Sequence, residues 1–249
     1  MSSKGRVAGL RQAIVLLSGG LDSAVTLHLA KAQGYKCSCL IFDYGQRHRR
    51  EIESARRVAR SAHCRTQVIK IKLPWRGSSL LDKKIKIPKL EPWSPAVGGS
   101  AFGGTGALEY PIPNTYVPGR NIIFLSFALS YAEAAGAEAI FIGAHCQDYS
   151  GYPDCRPEFY AALRRVIAKG TKSGVENKAI AIKTPLIHKN KSQIIKLGSR
   201  LGVNFELTWS CYQGGKVPCG RCDSCLFREK GFREAGFKDP LTDKATEKR

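Results

Sequence analysis

Ala13-Ile14-Val15-Leu16-Leu17-Ser18-Gly19-Gly20-Leu21-Asp22-Ser23 is the stretch on which the fold turns. Five apolar residues run into a serine and two glycines, and a helical pattern starts near Ala24. A strand, a tight turn and a helix N-terminus in that order aim several backbone N–H groups and the positive end of a helix dipole at one point. A phosphate chain suits such a point. The glycines let the backbone approach an anion closely, and Ser18 and Ser23 add hydroxyl donors. No Lys-Ser or Lys-Thr pair closes the segment, so it is not a Walker A loop.

Outward from this turn, strands and helices alternate. Residues 13–17, 37–42, 66–73, 139–143 and 179–183 read as strands. Residues 23–33 (closed by Gly34), 46–62, 121–135, 157–169 (Pro in the first turn) and 191–201 (Asn190 as cap) read as helices. Repeated βα units predict an α/β fold, a doubly wound and mostly parallel sheet with helices on both faces. Ligands of such sheets sit at the carboxyl ends of the strands, where Ser18, Asp43, His145 and Lys183 fall. Helix 121–135 is apolar nearly all round and is expected to be deeply buried. Residues 74–118 break the rhythm: seven of the twelve prolines lie there, so the segment reads as a long loop, either a mobile lid or disordered. The expected layout is a nucleotide-binding domain over 1–204 with this loop, a C-terminal segment over 205–238 packed on it, and a charged, frayed tail over 239–249.

The chain carries 40 Lys+Arg against 20 Asp+Glu, a net charge of +20. That field favours anionic partners, nucleic acid among them. Arg47, His48, Arg49, Arg50, Arg56, Arg57 and Arg60 nevertheless read as one solvated helix face, with Ile52, Ala55, Val58, Ala59 and Ala62 supplying the buried one. Aromatic interleaving for base stacking is absent there, so nucleic-acid binding is not favoured as a main function. Residues 1–11 are polar and basic, unlike a signal peptide, and the longest apolar run, 122–132, is too short to span a bilayer. A cytoplasmic protein without membrane contact is expected.

Cys211-x7-Cys219-x2-Cys222-x2-Cys225 offers four thiolates, with Gly214, Gly215, Pro218 and Gly220 between them. Four sulfurs at this spacing can close a tetrahedral shell around one structural zinc; an iron–sulfur cluster is the rival occupant. Lys216, Arg221 and Arg228 can soften the site's negative charge. Cys37, Cys39, Cys64, Cys146 and Cys155 lack ligand spacing and read as small buried residues.

The Ser18–Ser23 turn resembles the SGGxDS pyrophosphate loop of the ATP pyrophosphatases. With the cysteine cluster, Val117-Pro118-Gly119-Arg120-Asn121 and Ser150-Gly151-Tyr152-Pro153-Asp154-Cys155-Arg156 extend the likeness. From residue 13 to 237 the chain resembles the 7-cyano-7-deazaguanine synthases of queuosine biosynthesis. The resemblance implies a Rossmann-like fold of the adenine nucleotide α-hydrolase kind, one zinc per chain and a homodimer. It further implies an ATP-dependent ligation of 7-carboxy-7-deazaguanine with ammonia, with Mg²⁺ accompanying ATP. ATP contacts carry over to Leu17, Ser18, Gly19, Gly20, Leu21, Asp22, Ser23, Ala24, Val25, Thr26 and Leu27.

Residue chemistry supplies candidates beside that likeness. AMP transfer to a carboxylate makes a mixed anhydride that ammonia can attack, and a second activation turns the amide into a nitrile. Asp22 either orients the loop and helps hold Mg²⁺ or caps the first helical turn. Asp148 and Asp154 can each accept a ring N–H and exocyclic amine of a deazaguanine edge, or cap a turn. Arg120 and Arg156 can fork onto the substrate carboxylate or a phosphate, or form structural ion pairs. Tyr152 stacks on the purine-like ring or packs, and Lys183 meets the AMP phosphate from a strand end. His28 reads as a packing residue, while His48 and His145 lie near the mouth without an assigned role. Relatives that stop at the amide, or join the acid to another amine, would keep these motifs. A tRNA-thiolating relative, which would need Cys155 or Cys146, and a zinc-bearing nucleic-acid-binding module are the other readings.

Overall fold

The computed structural model describes residues 10–47, 49–89, 112–145 and 151–242. Asp148, Cys146, His48, the centre of the long loop and residues 243–249 lie outside the described residues. Within them, β1 (Gln12–Leu16) leads into α1 (Leu21–Ala32), β2 (Lys36–Asp43), α2 (Arg50–Ser61) and β3 (Arg65–Lys70). After the long loop come α3 (Arg120–Ala134) and β4 (Ala139–Phe141), then α4 (Pro157–Gly170) and the short α5 (Lys172–Val175). β5 (Ala181–Lys183), α6 (Lys191–Arg200) and α7 (Asp223–Ala235) complete the chain. The five strands form one parallel sheet in the order β3-β2-β1-β4-β5.

Strand alternation gives each face its own core. Val15, Cys39, Ile41 and Phe141 point to the face covered by α1, α2 and α6. Ile14, Leu16, Leu40 and Ile140 point to the face that carries α3 and α4. The doubly wound α/β fold expected from the sequence is therefore present. The chain moves outward from β1 to β2 and β3, then returns past β1 to β4, so the sheet reverses direction between β1 and β4. The carboxyl ends of those two strands diverge there and leave a crevice.

Several expectations need correction. Helix α3 is not deeply buried: only Asn121, Leu125, Ala128 and Ala132 are, while Ile122 and Phe127 are 49% and 42% exposed. The sheet covers one side of this helix and leaves the other open, where Ser126 and Ser130 stand between Ile122 and Phe127. The described ends of the long loop hold no helix or strand, yet they are packed. Ser78 and Ser79 are fully buried, and Ser79 bonds through its N–H to the Asn114 carbonyl at 2.8 Å. Arg47 is part of that anchorage, donating to the Ile85 carbonyl at 3.0 Å, and does not belong to the solvated face of α2.

Phe232 and Ala235 of α7 pack into the cluster beneath α1 and α6. The tail begins later than residue 239, because Asp239 and Leu241 are buried. Arg228, expected beside the metal charge, instead forms a buried two-pronged pair with Asp239, Nε–Oδ2 2.7 Å and Nη2–Oδ1 2.9 Å.

Candidate active site

The crevice opens at the Ser18–Ser23 turn. Ser18 Oγ accepts the Gly20 N–H at 3.2 Å and lies 3.1 Å from Ser23 Oγ, which donates to the Gly20 carbonyl at 3.0 Å. Gly19 has φ +88°, and a Cβ there would lie 2.2 Å from the Glu51 carbonyl oxygen, so the first turn of α2 closes the loop from one side. Trp209 holds the other side, its N–H bonded to the Gly19 carbonyl at 2.9 Å. Gly20 stands at the N-cap of α1 without any side-chain cap, leaving the first-turn N–H groups to an incoming acceptor.

Of the residues expected to touch ATP, Leu17, Ser18, Gly20, Asp22 and Ser23 line the crevice. Leu21, Ala24, Val25, Thr26 and Leu27 do not: α1 is buried on nearly every side along this stretch, so these residues pack into the protein around the helix.

Asp22 does not cap the helix. Its carboxylate takes both oxygens to Lys191 Nζ, at 2.8 and 2.9 Å. Lys191 Nζ also lies 2.8 Å from Nε2 of the buried His145. Burial by itself would raise the Asp22 carboxyl, but Lys191 and His145 outweigh it and hold the group well below the ordinary carboxylate range. Lys191, at the N-terminus of α6, is a charged group that sequence reasoning missed. Its signal was the capping box Asn190-x-x-Gln193, which fixes the helix start and hence the position of the lysine. Lys183, put forward for such a role, is exposed at the end of the edge strand and lines a separate hollow with Arg164 and Pro185. Its neighbour Ile182 faces the core, so alternation sends Lys183 to the other face.

The remaining walls bring Arg120, Asn121 and Tyr152 together with Glu51, Tyr44 and Tyr212. Burial of Arg120 works against its charge, yet Tyr44, Cys155 and Tyr152 around it keep the guanidinium firmly protonated. Tyr152 hydrogen-bonds Thr115 Oγ1 at 2.7 Å, which sets the ring against the crevice. Asp154 and Arg156 do not line it. Asp154 is buried and accepts the Asn121 backbone N–H at 2.9 Å, so it caps the start of α3; Arg156 stands at the N-cap of α4. His28 packs as expected, with Nδ1 3.3 Å from the Leu201 carbonyl.

Cys211, Cys219, Cys222 and Cys225 converge, their sulfurs all within 4.8 Å of one another. Cys211 Sγ accepts the N–H groups of Gln213 and Cys219 at 3.4 and 3.3 Å, and Cys219 Sγ accepts that of Arg221 at 3.5 Å. Backbone donors aimed at sulfur suit thiolates that bind a metal, and the four sulfurs fit one tetrahedral ion. Trp209, Ser210, Tyr212 and Ser224 from this segment line the crevice, so the cluster holds one of its walls.

The family model described as queuosine biosynthesis protein QueC matches residues 12–236. The chain belongs to the QueC family. A 7-cyano-7-deazaguanine synthase of Trichormus variabilis is 50% identical over 92% of this chain and 97% of its own length. The synthase of Thermosynechococcus vestitus is 49% identical over 93% of this chain and 95% of its own. Among solved structures, the NMN synthetase of Francisella tularensis has a TM-score of 0.48 at 14% identity, over 92% of this chain and 79% of that one. Among the described residues no helix is long and apolar enough to cross a membrane.

Proposed function

We propose that this QueC-family protein is an ATP-dependent ligase that converts 7-carboxy-7-deazaguanine and ammonia to 7-cyano-7-deazaguanine, through an adenylated acid and an adenylated amide. The observation that carries this reading is the crevice itself: an open anion cradle at Ser18–Ser23 shares one cavity with Arg120 and Tyr152. The cradle's N–H groups and serine hydroxyls stabilise departing pyrophosphate by oriented dipoles. Lys191, held beside the cradle by Asp22, adds a cation near the same oxygens, the part first given to Lys183. Arg120 draws in the substrate carboxylate or a phosphate, and Tyr152 offers its ring to the base.

Asp22 orients Lys191 beside the cradle, and Mg²⁺ arriving with ATP would neutralise part of the triphosphate. Cys211, Cys219, Cys222 and Cys225 would hold zinc, with a structural task, since a full cysteine shell leaves no open position. Asp148 is retained as the group that accepts the deazaguanine edge. The protein is a cytoplasmic homodimer in this reading, and the exposed Ile122 on α3 is a point at which a second copy could pack.

The test is release of AMP and pyrophosphate that depends on 7-carboxy-7-deazaguanine, with product mass read for nitrile against amide. Unchanged nucleotide in the presence of acid and ammonium would reject the reading; an amide that never advances would place the protein with relatives that stop halfway. Thiolation would need Cys146, outside the described residues, or Cys155, which is 4% exposed with Asn121 Nδ2 3.1 Å from its sulfur. Full turnover with ammonia in Cys155→Ser removes thiolation through Cys155.

A further inference from the structure

Glu51 breaks the pattern of its helix. The buried stripe of α2 runs through Ala55, Val58 and Ala59, and one turn before Ala55 the same stripe presents Glu51. There the helix meets the crevice: the Glu51 carbonyl closes on Gly19, and its side chain lines the cavity with Asp22, Ser23 and Arg120. Asp22 and Glu51 are the carboxylates of that lining among the described residues. Asp22 spends both oxygens on Lys191. No hydrogen bond from another described residue goes to the Glu51 carboxylate.

We propose that Glu51 is the proton acceptor for the incoming nitrogen, taking N–H protons from it in both halves of the reaction. The inference rests on the ligase reading above. Nitrogen arrives as ammonium with four N–H bonds and leaves as a nitrile with none. Glu51 takes the first proton, freeing the lone pair that forms the C–N bond. The second comes off that nitrogen as AMP departs with one carboxylate oxygen and the amide forms. The amide oxygen then displaces pyrophosphate from a second ATP. The last two N–H protons are lost as the second C–O bond breaks and AMP carries away the remaining oxygen. Between transfers the carboxyl returns its proton to water in the open crevice. One carboxylate can serve every transfer, because each proton leaves the same nitrogen.

The surroundings suit this work. Arg120 lines the crevice with Glu51 and favours its ionised form, the form that accepts a proton. The groups that face it are Arg120 from α3, Tyr44 beyond β2 and Cys211 from the cysteine segment, with Asp22 across the cavity. Arg120 keeps the ionised form accessible, and Tyr44 is held protonated by burial and does not compete as a base.

The experiment separates activation from nitrogen transfer. ATP–pyrophosphate exchange driven by 7-carboxy-7-deazaguanine reads activation, and nitrile formation at fixed total ammonium, followed from about pH 6.5 to about pH 9.5, reads the proton transfers. Glu51→Gln is expected to keep exchange within about threefold and to lose about 100-fold or more in nitrile formation at neutral pH. That deficit should shrink steadily as pH rises and free ammonia becomes abundant. Glu51→Asp should retain the wild-type pH profile at a lower rate. A Glu51→Gln protein within about threefold of wild type at neutral pH overturns the proposal. So does a deficit that stays constant with pH, or loss of exchange in parallel with nitrile formation in both variants. If wild type itself shows no acid-dependent exchange, the ligase reading fails first, and that result cannot be mistaken for a failure of Glu51 alone.

Discussion

Gly19 combines a left-handed backbone with backbone neighbours on the spot a Cβ would occupy, Glu51 O at 2.2 Å and Ala55 N at 2.7 Å. Neither can yield without moving α2, so Gly19→Ala should cost about 2–4 kcal/mol, read as a lowered melting temperature, and should abolish nucleotide turnover. Asp22 and Lys191 form a pair 25% and 13% exposed, between the surface and buried regimes. Lys191→Met should cost about 2 kcal/mol at neutral pH. Because the folded-state carboxyl of Asp22 is depressed, the pair's contribution is full above the unfolded carboxylate pKa and fades as pH falls toward the folded one. The gap between wild type and Lys191→Met should therefore close in acid; a gap constant with pH would contradict the linkage.

Glu51 has the opposite sign. Its carboxyl is raised from 4.5 to about 7, so stability falls as pH climbs through that window and the charge is forced on the crevice. Glu51→Gln should melt higher than wild type at pH ~8, by about 1–3 kcal/mol, and equal it near pH ~4. A function kept at the expense of stability is what an active-site acid would show.

At the scale of elements, the cysteine segment and α7 behave as one unit. Cys222 sits at the N-cap of α7, Arg228 on its inner face bonds Asp239 and Thr208, and Phe232 meets Phe205 edge-on. Cys222→Ser should lower metal content and melting temperature together; loss of metal with normal melting would contradict a structural role. Arg228→Met leaves Asp239 buried without its partner and should cost about 3–5 kcal/mol. The sequence already carried a signal for α7: Cys225, Arg228, Phe232 and Ala235 recur at helical spacing, and Gly236 closes the helix at φ +80°. An arginine at a core position hid the stripe, because its partner lies eleven residues on, in a segment read as tail. Helix α3 misled in the other direction: its composition is apolar nearly all round, but Ser126 and Ser130, four apart, mark the side that no neighbour covers.

Over the whole molecule, the sheet's reversal between β1 and β4 decides which distant residues meet. The open side of α3 presents Ile122 beside Ser126 and Ser130. For the homodimer proposed above, Ile122→Glu is expected to shift the sedimentation coefficient from dimer to monomer while leaving the melting curve of the monomer intact. The basic excess is partly structural: Arg50 lies over the Trp209 ring at 4.2 Å and bonds the Gly215 carbonyl at 2.7 Å, joining α2 to the cysteine segment.

By itself the sequence determined what is local. Strand, glycine turn and helix follow each other within eleven residues, and the four cysteines are close along the chain, so the anion cradle, the sulfur cluster and the α/β layering were all readable from spacing. Tertiary structure alone decided which charges face the cradle. Asp22 and Lys191 are 169 residues apart, and Lys191 rather than Lys183 arrives because a helix start and a strand's alternation fix side-chain direction only once the sheet order is set. Glu51 belongs to that second class as well. Its place on a buried stripe is periodic, but the cavity that makes a carboxylate useful there exists only where α2, β1, α3 and the cysteine segment come together.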